Sequence, residues 1–210
     1  MNATLLFDVD GTLIDSYPGI RRGFLVGLDA VGWEKPDEEF IKRIPGPPMP
    51  ETMSSLGMSD EQVEQAMRAY SDYMSGEGWQ RFEVYPGMDA LVRRLAGDGY
   101  RVCTATSKSE RFARAALERA GLLDHIDFLG AASDDGKRAK KVDMIRYVLD
   151  TAKPERPLMI GDRLHDFEGA KEFGIPSVAV TWGYGADDEW ELADHVAHDA
   201  DELERIIREF

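Results

Sequence analysis

Cysteine is almost missing from this chain: of 210 residues one, Cys103, is a cysteine. A single thiol excludes an intrachain disulfide and any metal site built from several cysteines. Its place in the apolar run RVCTATS reads as a small buried thiol. Long apolar runs are missing too, and nothing approaches the ~18 residues of a membrane span. The opening MNATLLFDVD holds no basic stretch and reaches acids early, so no secretory leader is expected and a cytoplasmic protein follows. Bases are scarce beside acids, 25 against 40, for a net charge of −15. Nucleic acid polymers are held by cations that neutralise phosphates, so neither DNA nor RNA is an expected partner. A small anionic substrate stays compatible, because it needs only a local cation or a metal. The chain also lacks low-complexity tracts and fixed-period repeats.

What is present is enough apolar residue, 43%, to bury one good core and carry a small second module. Short apolar runs alternate with helical periodicities, which predicts an α/β fold with a Rossmann-like parallel sheet. Strands are expected at Thr4–Phe7, Arg101–Ala105, Ile126–Gly130, Leu158–Gly161, Ser177–Thr181 and, more weakly, His195–Ala197. Stripes such as Met144, Ile145, Val148 and Leu149, or Leu203, Ile206, Ile207 and Phe210, mark the helices between. Gly121 and Gly174 fall just past helix ends, where a left-handed residue is wanted. About ninety residues separate the first strand from Arg101, far more than one crossover helix needs. There Ile20, Phe24, Leu28 and Val31 form one stripe and Val63, Met67, Tyr70 and Met74 another. Ser59 with Gln62 reads as a capping box opening the second of these helices. We expect an all-helical cap inserted after strand 1: residues 17–82 as cap, residues 1–16 and 83–210 as the α/β core.

The acids sit where strands end. The first strand runs into Asp8-Val9-Asp10-Gly11-Thr12. Alternate residues of a strand share a face, so the Asp8 and Asp10 carboxylates are expected to leave in the same direction. Ligands of open α/β sheets bind at the carboxyl ends of strands. Two acids so placed repel unless a cation or a shared proton relieves them, and a hard divalent ion such as Mg²⁺ with oxygen ligands would do so. The Arg101 strand ends in Thr106, Ser107 and Lys108, the Leu158 strand in Asp162 with Asp166 four residues on, and a cationic run, GKRAKKVDMI, precedes a helix. Singly, each has a bland reading as cap, turn or solvated charge. Their order along the chain is what distinguishes them.

In that order they resemble the haloacid-dehalogenase-like hydrolases, in particular a phosphoglycolate-phosphatase-like branch with a helical cap after strand 1. Asp8-x-Asp10-Gly11-Thr12 matches the first motif, Thr106 the second, and Gly161-Asp162 with Asp166 the fourth. The third departs from the common Lys-Pro form: Lys141 of AKKVDMI matches best, with Lys140 and Lys137 as alternatives. The resemblance implies that Asp8 is a nucleophile toward phosphorus and that Asp10 handles protons. It implies Mg²⁺ at the Asp8 carboxylate, the Asp10 backbone carbonyl and Asp162, with Asp166 in support. Gly11, Thr106, Ser107 and Lys141 would hold phosphate oxygens.

The implied activity is hydrolysis of a small phosphomonoester by a monomer or homodimer. RIPGPPMPETM at 43–53 and VTWGYG at 180–185 resemble segments of phosphoglycolate-phosphatase-like and nucleotidase-like relatives, favouring 2-phosphoglycolate and next nucleoside monophosphates. A sugar phosphomutase shares all four motifs and is the alternative, and a non-catalytic metabolite-binding regulator is a third. A dehalogenase would lack Asp10, and a calcium loop would carry its glycine later and follow a helix. The acidic stretch Asp187–Glu191 around Trp190 reads as a solvated helix start.

Overall fold

The computed structural model describes residues 2–45, 47–133 and 135–210. It divides into two compact units, residues 1–15 with 84–210 and residues 16–83.

The larger unit is built on a six-stranded sheet of β1 (Thr4–Phe7), β4 (Arg101–Ser109), β5 (Phe128–Ala132), β6 (Pro157–Gly161), β7 (Ser177–Val180) and β8 (His195–Ala197). The remaining strands, β2 (Ile14–Asp15) and β3 (Glu83–Val84), are two residues each and pair where the chain passes from one unit to the other. In the large sheet the order is β5-β4-β1-β6-β7-β8 and every pairing is parallel. Counting those six strands alone, this is the 3-2-1-4-5-6 order of a doubly wound Rossmann sheet, with β1 central. Its helices are α5 (Met88–Gly97), α6 (Glu110–Arg119), α7 (Lys141–Ala152), α8 (Leu164–Glu172), α9 (Asp187–Trp190) and α10 (Ala200–Glu209). The helices of the smaller unit are α1 (Tyr17–Ala30), α2 (Glu38–Lys42), α3 (Met49–Ser55) and α4 (Asp60–Gly76).

A parallel strand buried on both faces reads as a near-continuous apolar run, and in β1 Leu5, Leu6 and Phe7 follow Thr4, all four buried. Leu6, Cys103, Ala105 and Met159 pack on one side against Ile145, Val148 and Ala152 of α7 and Ala170 of α8. Burial pushes the Cys103 thiol up to about 11, which leaves it an inert core residue. Gly121 and Gly174 both take positive φ, 67° and 63°, one residue past the C-caps of α6 and α8. Each closes its helix with the double backbone bond of a Schellman turn, Leu122 N to Leu117 O and Ile175 N to Ala170 O among them.

The strand boundaries differ from expectation by one residue in β6 and β7, which span Pro157–Gly161 and Ser177–Val180, and by more in β5 and β4. β5 begins at Phe128 and not Ile126, because Leu123–His125 form a 3₁₀ turn and Ile126 is its cap. β4 continues four residues beyond Ala105 to Ser109, so the polar Thr-Ser-Lys run is strand rather than turn. Its ladder with β5 steps from Thr106–Ala131 to Ser109–Ala132, leaving Ser107 and Lys108 as a bulge.

In the smaller unit Ile20, Phe24 and Leu28 of α1 share a core with Ile41, Ile44, Met53 and Ala66. Gly27 of α1 lies against the Ala66 carbonyl of α4, a close approach that a side chain would obstruct. Ser59 and Gln62 do form a reciprocal capping box at α4: Ser59 N donates to Gln62 Oε1 at 3.0 Å and Gln62 N to Ser59 Oγ at 3.3 Å. Val31 of the expected stripe lies past the end of α1 as its cap. Of the Gly-Pro-Pro segment, Gly46 lies outside the described residues, while Pro48 caps α3. Among the described residues no helix is long and apolar enough to cross a membrane.

Candidate active site

Asp8 follows β1 directly and Asp162 follows β6, the strand hydrogen-bonded beside it, and Asp8 N donates to Ile160 O at 2.9 Å. The two acids therefore stand side by side at the carboxyl edge of the sheet. Asp166, at the third position of α8, completes a cluster in which one carboxylate oxygen from each acid lies within 4.8 Å of the others. All three residues are buried.

One cation answers them. Lys141 Nζ, at the first residue of α7, is 2.9 Å from Asp8 Oδ1 and 2.6 Å from Asp166 Oδ1, and donates to Ala105 O at 2.9 Å. At these distances the ammonium is both charge-paired and hydrogen-bonded to the two acids, which are buried. Of the two neighbouring lysines, Lys140 is exposed and caps α7 through its backbone N–H to Asp143 Oδ2 at 3.1 Å. Lys137 pairs with Asp135 and is 84% exposed.

Burial pushes the Asp8 carboxyl up to about 6; Lys141 opposes the rise and Asp166 adds to it. Asp162 is raised well above the ordinary carboxyl range by burial first, then by Asp166 and Asp8. For Lys141, burial works to lower the ammonium, but Asp166 and Asp8 outweigh it and hold it above its usual value. Three carboxylates facing one ammonium leave surplus negative charge in a buried place, which is costly unless a proton or a cation takes it up. Three buried carboxylates at this spacing form an all-oxygen donor set that fits a hard divalent cation.

Backbone packing shapes the cluster. Gly11, at φ +83°, turns the chain so tightly that a Cβ there would strike the Asp162 carboxylate. A Cβ at Gly161 would strike Asp166, and one at Gly183 or Gly185 would strike Asp162. Tyr184 N donates to Asp162 Oδ2 at 2.7 Å and Thr12 Oγ1 to Oδ1 at 3.4 Å. The 181–185 loop is thus a wall of the site, tied down further by Trp182 Nε1 to Thr12 O at 3.1 Å and Tyr184 OH to Asp15 Oδ1 at 2.9 Å.

The structure separates the two acids of the first motif. Asp10 lies outside the three-carboxylate cluster, and its carboxylate accepts from Lys108 Nζ at 2.9 and 3.1 Å. Each acid of the motif has its own lysine, Lys141 at Asp8 and Lys108 at Asp10. Thr106 is buried, its Oγ1 accepting from Lys108 N at 3.2 Å, and Ser107 is exposed. Gly11 N donates to Ile14 O at 2.9 Å.

Two contributors escaped the sequence reading. Lys108 was visible only as the residue after Thr-Ser, with no periodicity to aim it. The acidic stretch at 187–191 is a helix start, as expected, but not a merely solvated one. Glu189 Oε2 accepts from Arg163 Nε and Leu164 N, both at 2.9 Å, and Trp190 Nε1 donates to Asp162 O at 3.2 Å. α9 therefore braces the loop that carries Asp162.

Residues 5–180 match the family model described as haloacid dehalogenase-like hydrolase. The Tyrosine-protein kinase PtkA of Mycobacterium tuberculosis is 40% identical over 88% of this chain, and the chain spans 64% of that relative's length. A 5′-nucleotidase of Pseudomonas aeruginosa is 33% identical over 88% of this chain and 85% of its own. Among solved structures, a predicted phosphatase from Clostridium acetobutylicum superposes with a TM-score of 0.92 at 32% identity, covering 100% of both chains. With the Rossmann order and the clustered acids, these matches establish that the chain belongs to the haloacid dehalogenase-like hydrolase family.

Proposed function

We propose that this chain is a Mg²⁺-dependent phosphomonoester hydrolase that carries the phosphoryl group on Asp8. The observation behind the reading is the buried Asp8–Asp162–Asp166 cluster with Lys141 among its oxygens. A carboxylate is a poor nucleophile toward an anionic phosphoryl group unless nearby charge is neutralised, and Lys141 stands where that is needed. In the first half-reaction an Asp8 oxygen bonds to phosphorus, the ester P–O bond breaks, and Asp10 gives its proton to the leaving alkoxide. In the second, water attacks the aspartyl-phosphate, Asp10 takes a proton from it, and the bond to Asp8 breaks to release phosphate. Mg²⁺, held by Asp8, the Asp10 backbone carbonyl and Asp162 with Asp166 in support, would add charge neutralisation at the phosphoryl oxygens. Thr106 and the Ser107 amide complete their binding, beside the tight turn at Gly11 whose own amide is taken by Ile14 O.

In this reading residues 17–82 are a helical cap domain and residues 1–16 and 83–210 the catalytic core, working in the cytoplasm as monomer or homodimer. The substrate is a small organic phosphate. 2-Phosphoglycolate rests on the 43–53 segment, and nucleoside monophosphates draw support from the relative named a 5′-nucleotidase. A second reading is favoured by the relative named a tyrosine-protein kinase: the same phosphoryl group passed to a protein hydroxyl instead of water.

The test is phosphate release from 2-phosphoglycolate, nucleoside monophosphates, pyrophosphate and β-glucose 1-phosphate, with Mg²⁺ and with chelator, beside Asp8→Asn. Mg²⁺-dependent release that vanishes in the variant is expected. Silence on every ester, with label moving from ATP to protein tyrosine, would replace hydrolysis by the kinase reading. Conversion of β-glucose 1-phosphate to glucose 6-phosphate without release would replace it by a mutase.

A further inference from the structure

We propose that Lys108 is a positioning residue for Asp10, fixing the carboxyl that moves protons in the hydrolysis reaction proposed above, on which this inference rests. Lys108 Nζ lies 2.9 Å from one Asp10 oxygen and 3.1 Å from the other, so a single ammonium straddles both. Among the described residues, Lys108 is the donor of both hydrogen bonds to that carboxylate. The ammonium grips the ionised carboxylate, the form that takes a proton from water in the second half-reaction. Carrying that proton on one oxygen, Asp10 stays anchored through the other for its transfer to the leaving oxygen of the next turnover.

The fold aims Lys108 deliberately. On a regular parallel strand Thr106 and Lys108 share a face, and their neighbours would stay in the ladder. Here the β4–β5 register slips between Thr106 and Ser109, lifting Ser107 and Lys108 out of pairing. Bulges next to sites of chemistry redirect side chains in this way. Lys108 N turns back onto Thr106 Oγ1 at 3.2 Å, which sets the backbone of the bulge. The Lys108 side chain is only 8% exposed and that of Asp10 22%, so solvent competes weakly for the pair. Lys141 is committed to Asp8, Asp166 and Ala105, which leaves the two lysines with separate duties.

If Lys108 acts through Asp10, its loss must be felt where the leaving group needs a proton and little where it does not. kcat/KM reports the steps through loss of the leaving group, so it isolates the first half-reaction. The experiment compares wild type, Lys108→Met, Lys108→Arg and Asp10→Asn on 4-nitrophenyl phosphate, whose leaving group departs as a stable anion, and on the best alkyl ester of the panel above. For Lys108→Met, kcat/KM on the alkyl ester should fall roughly 10²-fold, the usual share of a general acid. On the nitrophenyl ester it should fall far less, with a burst of nitrophenolate as the aspartyl-phosphate accumulates. Asp10→Asn should show the same selectivity, and Lys108→Arg should recover much of the alkyl activity. Equal losses on both esters, or none on either, would overturn the role of Lys108 while leaving the hydrolase reading in place. A wild type inert toward both esters would overturn the hydrolase reading itself.

Discussion

Lys141 Nζ lies 2.6 Å from Asp166 Oδ1, joining the first residue of α7 to the third residue of α8 beneath the Asp8 carboxylate. The lysine side chain is 5% exposed and the aspartate 1%, so neither charge is relieved by solvent. Removing one member of a buried charge set costs more than the set itself contributes, because the remainder is left uncompensated.

Lys141→Met should therefore abolish phosphate release and, in chelator at neutral pH, destabilise the protein by about 3–5 kcal/mol. Urea unfolding with and without Mg²⁺ measures it, and the ion should return part of the loss. A variant as stable as wild type in chelator would show that the acids are not dependent on this ammonium.

The Asp8 carboxyl, raised to about 6 from an ordinary 3.8, gives a pH signature. Between those values the folded chain holds a proton that the unfolded chain has released. The contribution to stability is thus fully present below pH 3.8 and lost as pH rises through about 6. In chelator, the stability of wild type relative to Asp8→Asn should fall by on the order of 3 kcal/mol between about pH 4 and 7. Mg²⁺ should flatten the trend by favouring the ionised form. Parallel pH curves for the two proteins in chelator would contradict it.

Gly183 has no room for a methyl group: its Cβ would strike Gly11 O and the Asp162 side chain. Gly183→Ala should cost about 1–3 kcal/mol through overpacking and lower Mg²⁺-dependent release at least tenfold. Gly97, at the end of α5, has nothing within 4 Å of its Cβ position. Gly97→Ala should be neutral or stabilising by up to about 1 kcal/mol, with activity intact. Thermal melts and Mg²⁺ titrations of both variants make the comparison, and a tolerant Gly183 would remove the loop from the site's construction.

Glu189 spans two donors at the start of α8, and Glu189→Ala strands the Leu164 amide. A loss of about 1–3 kcal/mol follows, and Mg²⁺ should bind roughly 10–100-fold more weakly, the usual cost of removing a ligand's support. Isothermal titration reads the affinity. Unchanged affinity with lowered stability would confine Glu189 to holding the helix.

Much of the fold is legible in the sequence. A parallel strand covered on both faces must be a short apolar run, so Leu5–Phe7 and Leu158–Ile160 announced themselves by composition. Gly121 and Gly174 announced helix ends because only glycine enters the left-handed region without strain. Ser59 and Gln62 did so because a capping box is closed by residues three apart. These are local constraints, and local constraints leave marks at fixed spacing.

The sequence by itself determined the order of the strands' acids, hydroxyls and lysines and the parallel α/β sheet that gathers strand ends along one edge. Tertiary structure alone decided which cation meets which acid. Lys137, Lys140 and Lys141 are near neighbours in sequence, yet the turn into α7 sends only Lys141 inward. Lys108 and Asp10 stand 98 positions apart, and a two-residue bulge brings them together. Glu189 and Trp190 read as a solvated acidic helix until the 181–185 loop folded them against Asp162. Charge pairing acts through space and is indifferent to separation along the chain, so it leaves no period in the sequence to be read.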